Sequence, residues 1–380
     1  MGCCWNKSLA MLKKKILIIC PFPEGVAAGQ RLKYEQYLDD WRDEGLEITI
    51  SSFMDPAMWE VVYKKKHIFA KISGTLRGYT RRVRDIFQIH KFDLVYVHMW
   101  VTPFGTSIPE RLVRYLSQSL IFDVEDSVLA EQQVNKSSNP NPFSQFFKNP
   151  NKAKFLIQES NFVIASSPFL AKQCKEMNRY KKSKYISSSV NTERFIPVIK
   201  ALDLKVVTIG WTGTFSSKAY LDQLSSIFQQ LALKVDFTLR VIGNFDYDLP
   251  GVNLEVIQWS LENEVRDMQG IDIGVYPLPM DEWVMGKSGL KAIQYMAFGI
   301  PVVASDIGTT PLIIANNVNG FLVKTDNDWL ASLEKLVLNP KLRQDLGQTA
   351  RTNALERYST KVISPQYKIV LQEVLGDNND

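Results

Sequence analysis

Short unbroken apolar runs alternate with helix-period segments along this chain, and halfway along the alternation starts again. Ile16-Leu17-Ile18-Ile19-Cys20 is the first run. It lacks polar alternation, which marks a strand covered on both faces, as in a parallel sheet. The loop Pro21-Phe22-Pro23-Glu24-Gly25 breaks it. Tyr34, Tyr37, Leu38 and Trp41 then fall at helical spacing before Gly45, predicting a helix over 29–44. A strand over 47–51 completes a β-α-β unit. Strands at 94–97, 120–123 and 162–165, with a helix over 107–118, extend the pattern. Near residue 204 it restarts. Strands are expected at 206–210, 237–242, 254–257, 271–276 and 301–304, with helices over 217–231, 260–268 and 290–298. The spacing predicts an α/β chain of two doubly wound parallel domains. Ligands of such a pair bind in the central cleft, at the carboxyl ends of the strands.

The division expected is a loose extension over 1–10, a first domain over 11–198 and a second over 199–358. An amphipathic helix over 359–380 either caps its own domain or crosses back to the first. With 380 residues, 45% of them apolar and 22% charged, the chain is long enough for two cores and too apolar to be disordered. No run of about 20 apolar residues could span a bilayer. Cys3, Cys4, Cys20 and Cys174 show neither metal-ligand spacing nor a disulfide framework, so a reducing, cytoplasmic setting is expected. The opening Met-Gly-Cys-Cys lacks the Ser or Thr that myristoylation needs, having Asn6 instead. Met11, before Lys13-Lys14-Lys15, reads as a more natural start.

The net charge of +5 hides an imbalance. Residues 1–200 hold 30 Lys and Arg against 19 Asp and Glu, so the first half is basic and the remainder acidic. Within it, residues 59–91 interleave Lys64, Lys65, Lys66, Lys71, Arg77, Arg81, Arg82 and Arg84 with Trp59, Tyr63 and Phe69. No nucleic-acid motif accompanies them, so no nucleic-acid partner is expected, and the cluster suits an anionic membrane surface.

The densest chemical signal runs from Pro277 to Pro301. A strand ends, a loop carries Asp281, Glu282 and Trp283, and Gly286-Lys287-Ser288-Gly289 opens a helix containing Gln294. Glycines let backbone approach a ligand, and free N–H groups at a helix start attract phosphate. Taken alone, the tetrapeptide is equally an ordinary helix start with a solvated lysine. A second loop, Ile209-Gly210-Trp211-Thr212-Gly213-Thr214-Phe215-Ser216-Ser217-Lys218, opens the second domain's first helix, and Gly243-Asn244 ends its next strand. In the first domain, Asp123, Glu125 and Asp126 crowd one strand end, and the loop holding Gly25, Gly29 and Arg31 follows the first strand. Carboxylates that close together are costly without sugar hydroxyls or cations to bind. His98, ending a strand, also lies toward the cleft by position.

The tail of the dense segment reads Met296-Ala297-Phe298-Gly299-Ile300-Pro301-Val302-Val303-Ala304-Ser305. With Asn319-Gly320-Phe321-Leu322-Val323 and Ser189-Val190-Asn191-Thr192-Glu193-Arg194-Phe195, it resembles, in order and over nearly the whole chain, the retaining glycosyltransferases of the GT-B fold, family four. The resemblance implies two Rossmann-like domains facing a cleft, and transfer of a sugar from a nucleotide sugar to a saccharide or lipid-linked hydroxyl, with retention. It implies that Lys218 and Lys287 supply charge to the leaving diphosphate, and that Gly213, Gly243, Gly286, Ser288, Gly289 and Gln294 bind the donor. Glu125 would meet the transferred sugar. Gly25, Gly29, Arg31, Asp123 and Asp126 belong to the acceptor side. No metal or other cofactor is expected: Asp123-x-Glu125 is similar to a metal-binding pair of another glycosyltransferase fold but lies in the wrong domain. The chain departs from the family where two glutamates usually bracket the loop and helix, having Gly286 and Gln294. That departure keeps an inactive sugar-binding homologue open, and a nucleotide-sugar epimerase shares the fold.

Overall fold

Most of the apolar runs become the inner strands of two parallel sheets. The structure is a computed structural model that describes residues 14–64, 66–125, 149, 151–200 and 206–376. In chain order the first domain carries β1 (Lys15–Cys20), α1 (Ala28–Arg31), α2 (Leu38–Asp43), β2 (Glu47–Ser52), α3 (Pro56–Val62), α4 (Ile68–Gln88), β3 (Leu94–His98), α5 (Ile108–Leu116), β4 (Leu120–Val124), α6 (Asn151–Glu159), β5 (Phe162–Ala165), α7 (Pro168–Met177) and β6 (Ser183–Tyr185). The second carries β7 (Val207–Thr212), α8 (Lys218–Asp222), α9 (Ser225–Ala232), β8 (Phe237–Gly243), β9 (Leu254–Gln258), α10 (Glu264–Gln269), β10 (Ile273–Tyr276), α11 (Leu290–Ala297), β11 (Val302–Ser305), α12 (Thr310–Ile313), β12 (Gly320–Val323), α13 (Asp326–Leu338) and α14 (Pro340–Arg357). Helix α15 (Thr360–Gly376) follows.

Among the described residues each sheet has six strands, in the orders β2-β1-β3-β4-β5-β6 and β12-β11-β10-β7-β8-β9. Every pairing between named strands is parallel. β1 and β3 are buried along almost their whole length, as their polar-free runs require. In each sheet the order reverses beside the first strand, β1 in one and β7 in the other, and a crevice opens there above the strand ends.

Helix α15 packs on the first sheet. Its Ile363, Tyr367, Val370, Leu371 and Val374 share a core with Ile16, Ile18, Tyr37, Trp41 and Tyr96. Tyr367 lies 5.0 Å, centroid to centroid, from Tyr37 and 6.0 Å from Trp41. Each such ring pair contributes about 0.5–1.5 kcal/mol beyond the area it buries. The outgoing and returning connections touch where they pass between domains. The Val190 N–H donates to the Tyr358 carbonyl at 3.0 Å, and the Thr360 N–H to the Val190 carbonyl at 3.2 Å.

Two sequence readings change. The helix expected over 29–44 is broken into α1, a 3-10 turn over Glu35–Tyr37, and α2. The break falls where two neighbouring side chains turn inward in different directions: Leu32 enters the core of the second domain, and Lys33 pairs with Asp123 inside the first. The basic cluster at 59–91 is not one solvated face. Trp59 packs at 5.3 Å on Phe22. Arg82 is 1% exposed and donates to the carbonyls of Val101 and Cys20, at 2.7 and 2.8 Å, tying α4 to the sheet. Gly74 and Gly78 let α4 come that close, since a Cβ at Gly78 would lie 2.6 Å from the Phe53 ring. Lys65 and residues 1–10 lie outside the described residues.

Candidate active site

The loops that leave the strand ends of the two sheets meet across the cleft. From the second domain, the loop after β10 makes a 3-10 turn over Glu282–Gly286, capped by the Asp281 carboxylate, which accepts from the Trp283 N–H at 3.1 Å. Lys287 is then fixed through its backbone. Its N–H donates to the Val284 carbonyl at 3.0 Å, and its carbonyl accepts from Thr309 Oγ1 at 2.8 Å. Gly289 takes φ +73° as the N-cap of α11. A Cβ there would also lie 2.2 Å from Ile313, so glycine is required for both conformation and space. Ser288 completes the loop, half-buried, and Gln294 sits buried midway along α11.

The loop after β7 lies beside it. Gly213 brings its carbonyl within 3.0 Å of where a Gly243 Cβ would stand, so the ends of β7 and β8 close on each other. Here the lysines part ways. Lys218 Nζ donates to both Asp222 carboxylate oxygens, at 2.8 and 2.9 Å, and lies 5.1 Å from the Tyr247 ring. Its charge is therefore already matched. Lys291, which sequence reasoning missed, reaches into the loop instead. Its Nζ lies 4.8 Å from the Trp211 ring centroid and donates to Ser217 Oγ at 3.3 Å. The available signal was its position, in the first turn of α11 directly after the 286–289 loop.

From the first domain, the loop after β1 is held by Glu35, whose carboxylate accepts from the Gly25 N–H at 2.9 Å. Burial pushes the Glu35 carboxyl above its usual range, against the hydrogen bonds from Gln30 and Gly25. A Cβ at Gly29 would lie 2.7 Å from Glu125 Oε2, so this glycine is what lets the Glu125 carboxylate lie against α1. Met99, just past β3, holds a left-handed φ of 62°, a strained conformation for methionine at the cleft end of the sheet.

Asp123 does something different from presenting a carboxylate to the cleft. It is fully buried. Lys33 Nζ lies 2.5 Å from its Oδ1, the Tyr96 hydroxyl donates to Oδ2 at 2.6 Å, and His98 Nδ1 stands 3.3 Å from Oδ2. Burial opposes its ionisation, but Lys33 and His98 outweigh that and hold the carboxyl at about 2. Asp123 is thus a buried structural group of the first domain, with Lys33, Tyr96 and His98 as its partners. Asp126 lies outside the described residues.

Among the described residues, further contacts join the domains besides Leu32. Ser166 Oγ donates to the Gly286 carbonyl at 2.8 Å. The Tyr63 and Phe215 rings stand 5.4 Å apart. Arg31 Nη2 donates to Glu264 Oε1 at 2.6 Å, and Arg194 Nη2 to Oε2 at 3.1 Å. Arg31 therefore meets a carboxylate across the cleft. Its Nε and Nη1 are buried without a hydrogen-bond partner, which leaves two donors for an incoming group. Removing one partner of a buried charge pair costs about 2–5 kcal/mol. Glu264→Gln is accordingly expected to loosen the closed arrangement and raise the radius of gyration in small-angle scattering. An unchanged radius would assign closure to the other contacts, those of Leu32, Ser166 and the Tyr63–Phe215 pair. Among the described residues, no three His, Cys, Asp or Glu side chains are grouped to hold a metal ion, and no helix is long and apolar enough to cross a membrane.

Comparison with known proteins agrees with this geometry. Residues 193–353, nearly all of the second domain, match the family model described as glycosyl transferases group 1. A sucrose-phosphate synthase from Thermosynechococcus elongatus superposes with TM-score 0.70 at 14% identity, over 96% of this chain and 100% of that one. Anabaena HepE, solved in complex with UDP-glucose, superposes with TM-score 0.66 at 13% identity, over 94% and 99%. The N-acetyl-alpha-D-glucosaminyl L-malate synthase of Bacillus anthracis is 20% identical over 317 residues, 79% of each chain. At these identities the structural likenesses establish a shared architecture, the GT-B fold of two facing Rossmann-like domains.

Proposed function

We propose that the chain, whose residues 193–353 match the glycosyl transferases group 1 model, transfers a glycosyl group from a nucleotide sugar to an acceptor hydroxyl, with retention and without a metal. The observation that carries this reading is the seating of the 286–289 loop. It opens α11 directly against the first domain, through Ser166, with Lys287 and Lys291 at the helix start. A diphosphate there would meet free backbone N–H groups, the positive end of a helix dipole and two ammonium groups. Such groups stabilise charge that develops as the leaving group departs. Arg31 reaches the second domain at Glu264, with two buried donor nitrogens unpartnered.

In the proposed step the bond from the anomeric carbon to the diphosphate oxygen breaks, and the acceptor oxygen bonds to the same face of that carbon. The acceptor proton passes to the departing phosphate oxygen. Glu125, held against Gly29, orients the sugar. UDP-glucose in the HepE structure supports a nucleoside diphosphate sugar as donor. Lys64 and Lys66, exposed beside the cleft, and the basic first domain support an acceptor, saccharide or lipid-linked, met at the anionic cytoplasmic face of a membrane.

A second reading rests on Gly286 and Gln294, which stand where the family usually has carboxylates: a homologue that binds nucleotide sugar without turnover. A thermal-shift panel of nucleotides and nucleotide sugars, followed by an assay for released nucleotide, separates the two. Stabilisation with release supports transfer, and stabilisation without release supports the binding protein. Activity is further expected to survive EDTA at full rate. Loss with EDTA and recovery with magnesium or manganese would overturn the metal-free mechanism.

A further inference from the structure

Helix α4 carries a second face that the cleft does not use. Phe69, Ile72, Leu76, Val83 and Phe87 are 89%, 52%, 63%, 53% and 74% exposed. With Thr80 between, they follow one another at three- and four-residue steps, a continuous stripe about 27 Å long at 1.5 Å per residue. Gly74, Gly78 and Arg82, on the opposite side, are buried, so the stripe points directly away from the sheet. Helix α5 packs beside α4 and exposes Ile108, Leu112, Tyr115 and Leu116. An apolar surface of this extent is uncommon on a protein meant to face water alone.

The charges around it select the occupant. Each helix has one carboxylate, and both turn inward. Asp85 accepts from Arg82 at 2.9 Å and from Ser51 at 2.7 Å. Glu110 is fully buried and accepts from the Thr102 hydroxyl at 2.8 Å. What remains outward is basic: Lys64 and Lys66 at the start of α4, Arg84 along it, and Arg111 on α5 are all exposed. A second copy docked on the same face would oppose these cations to themselves. An anionic lipid leaflet complements them, phosphates toward the arginines and acyl chains toward the phenylalanines.

We propose that the α4–α5 face seats in an anionic bilayer surface, with the α4 stripe below the headgroups. This deepens the membrane partner proposed above and rests on it, with one difference in kind: the hold is apolar as well as electrostatic. The seat also fixes the cleft. Tyr63, which touches Phe215 of the donor-side loop, lies six residues before Phe69. The stripe therefore begins at the cleft mouth, and an acceptor carried on a lipid would reach it without leaving the membrane.

The test is co-sedimentation with vesicles of phosphatidylcholine alone and of phosphatidylcholine mixed with phosphatidylglycerol, at low and high salt. Wild type should prefer the anionic vesicles and keep part of its binding at high salt. Phe69→Ser with Leu76→Ser, both exposed and free of packing demands, should cut partitioning on the order of 100-fold and abolish the salt-resistant part. Arg84→Gln with Arg111→Gln should cut it about 30-fold and weaken the preference for anionic lipid, Lys64 and Lys66 still being in place. Binding that collapses completely at high salt, or an apolar double variant that binds like wild type, would overturn the proposal. So would a wild-type dimer that the apolar variant turns into monomer, since the occupant would then be a second copy. Nucleotide release is measured in parallel without vesicles. Release with no vesicle binding overturns this inference and leaves the transfer reading standing; vesicle binding with no release supports the seat and overturns transfer.

Discussion

Lys287→Ala is expected to lower turnover about 10²–10³-fold, the usual cost of removing one preorganised group from a developing charge, with little change in melting temperature. The separation of the two effects follows from how the residue is held. Its backbone N–H and carbonyl, bonded to Val284 and Thr309, fix the loop, and alanine keeps both. The side chain is partly exposed and lies 6.0 Å from the Trp283 ring centroid, and surface substitutions usually stay within about 0.5 kcal/mol of wild type. If the charge acts on the departing diphosphate, kcat carries the loss and Lys287→Arg restores part of it. Lys291→Ala should follow in the same direction. Lys218→Ala should do less than either, because Asp222 already holds that ammonium. A Lys287→Ala enzyme within about twofold of wild type would remove the loop from the catalytic machinery.

Asp123→Asn is expected to destabilise the protein by about 3–5 kcal/mol, the range for stripping one member from a buried ion pair. Lys33 is 2% exposed, and the substitution leaves its ammonium without a countercharge. Replacing both, Lys33→Met with Asp123→Leu, should recover much of the loss, since apolar side chains of similar size do not need the pair. The pH dependence has a fixed sign. The Asp123 carboxyl is lowered from 3.8 to about 2 on folding. Its contribution is therefore complete above about pH 4 and disappears as pH falls through about 2. Denaturant titrations of wild type and Asp123→Asn should show a constant gap near neutrality that closes over that acid window. A gap of less than about 1 kcal/mol at pH 7 would mean that the site tolerates a lone lysine.

The parallel-sheet architecture was readable because β1, β3 and β10 are nearly free of polar residues, as strands covered on both faces are. The donor-side loop was readable for a related reason. Glycine at 289 answers a local demand of the backbone, and local demands leave local marks. What failed to show were partnerships between distant residues. Nothing near Arg31 in the sequence announces Glu264, 233 positions away, and nothing in the spacing of Lys33 tells that it abandons a helix surface to neutralise Asp123. Composition likewise could not say which members of the 59–91 cluster face water: among the described residues Arg82 is one of the most buried side chains, while Phe69, from the same cluster, stands in solvent.

The return of α15 to the first sheet has a consequence for synthesis. Translation delivers β1–β6 first, but the core formed by Tyr37, Trp41 and Tyr96 lacks Tyr367 and its neighbours until the entire second domain has left the ribosome. The second domain, whose cores draw mostly on residues between 190 and 358, can close while the first still has an open apolar flank. Domains usually mature in the order they are made. Here the order is inverted. The nascent first domain must wait, exposed, for a helix encoded after the whole second domain, which makes that interval the period in which a holding chaperone would matter most to the yield of folded protein.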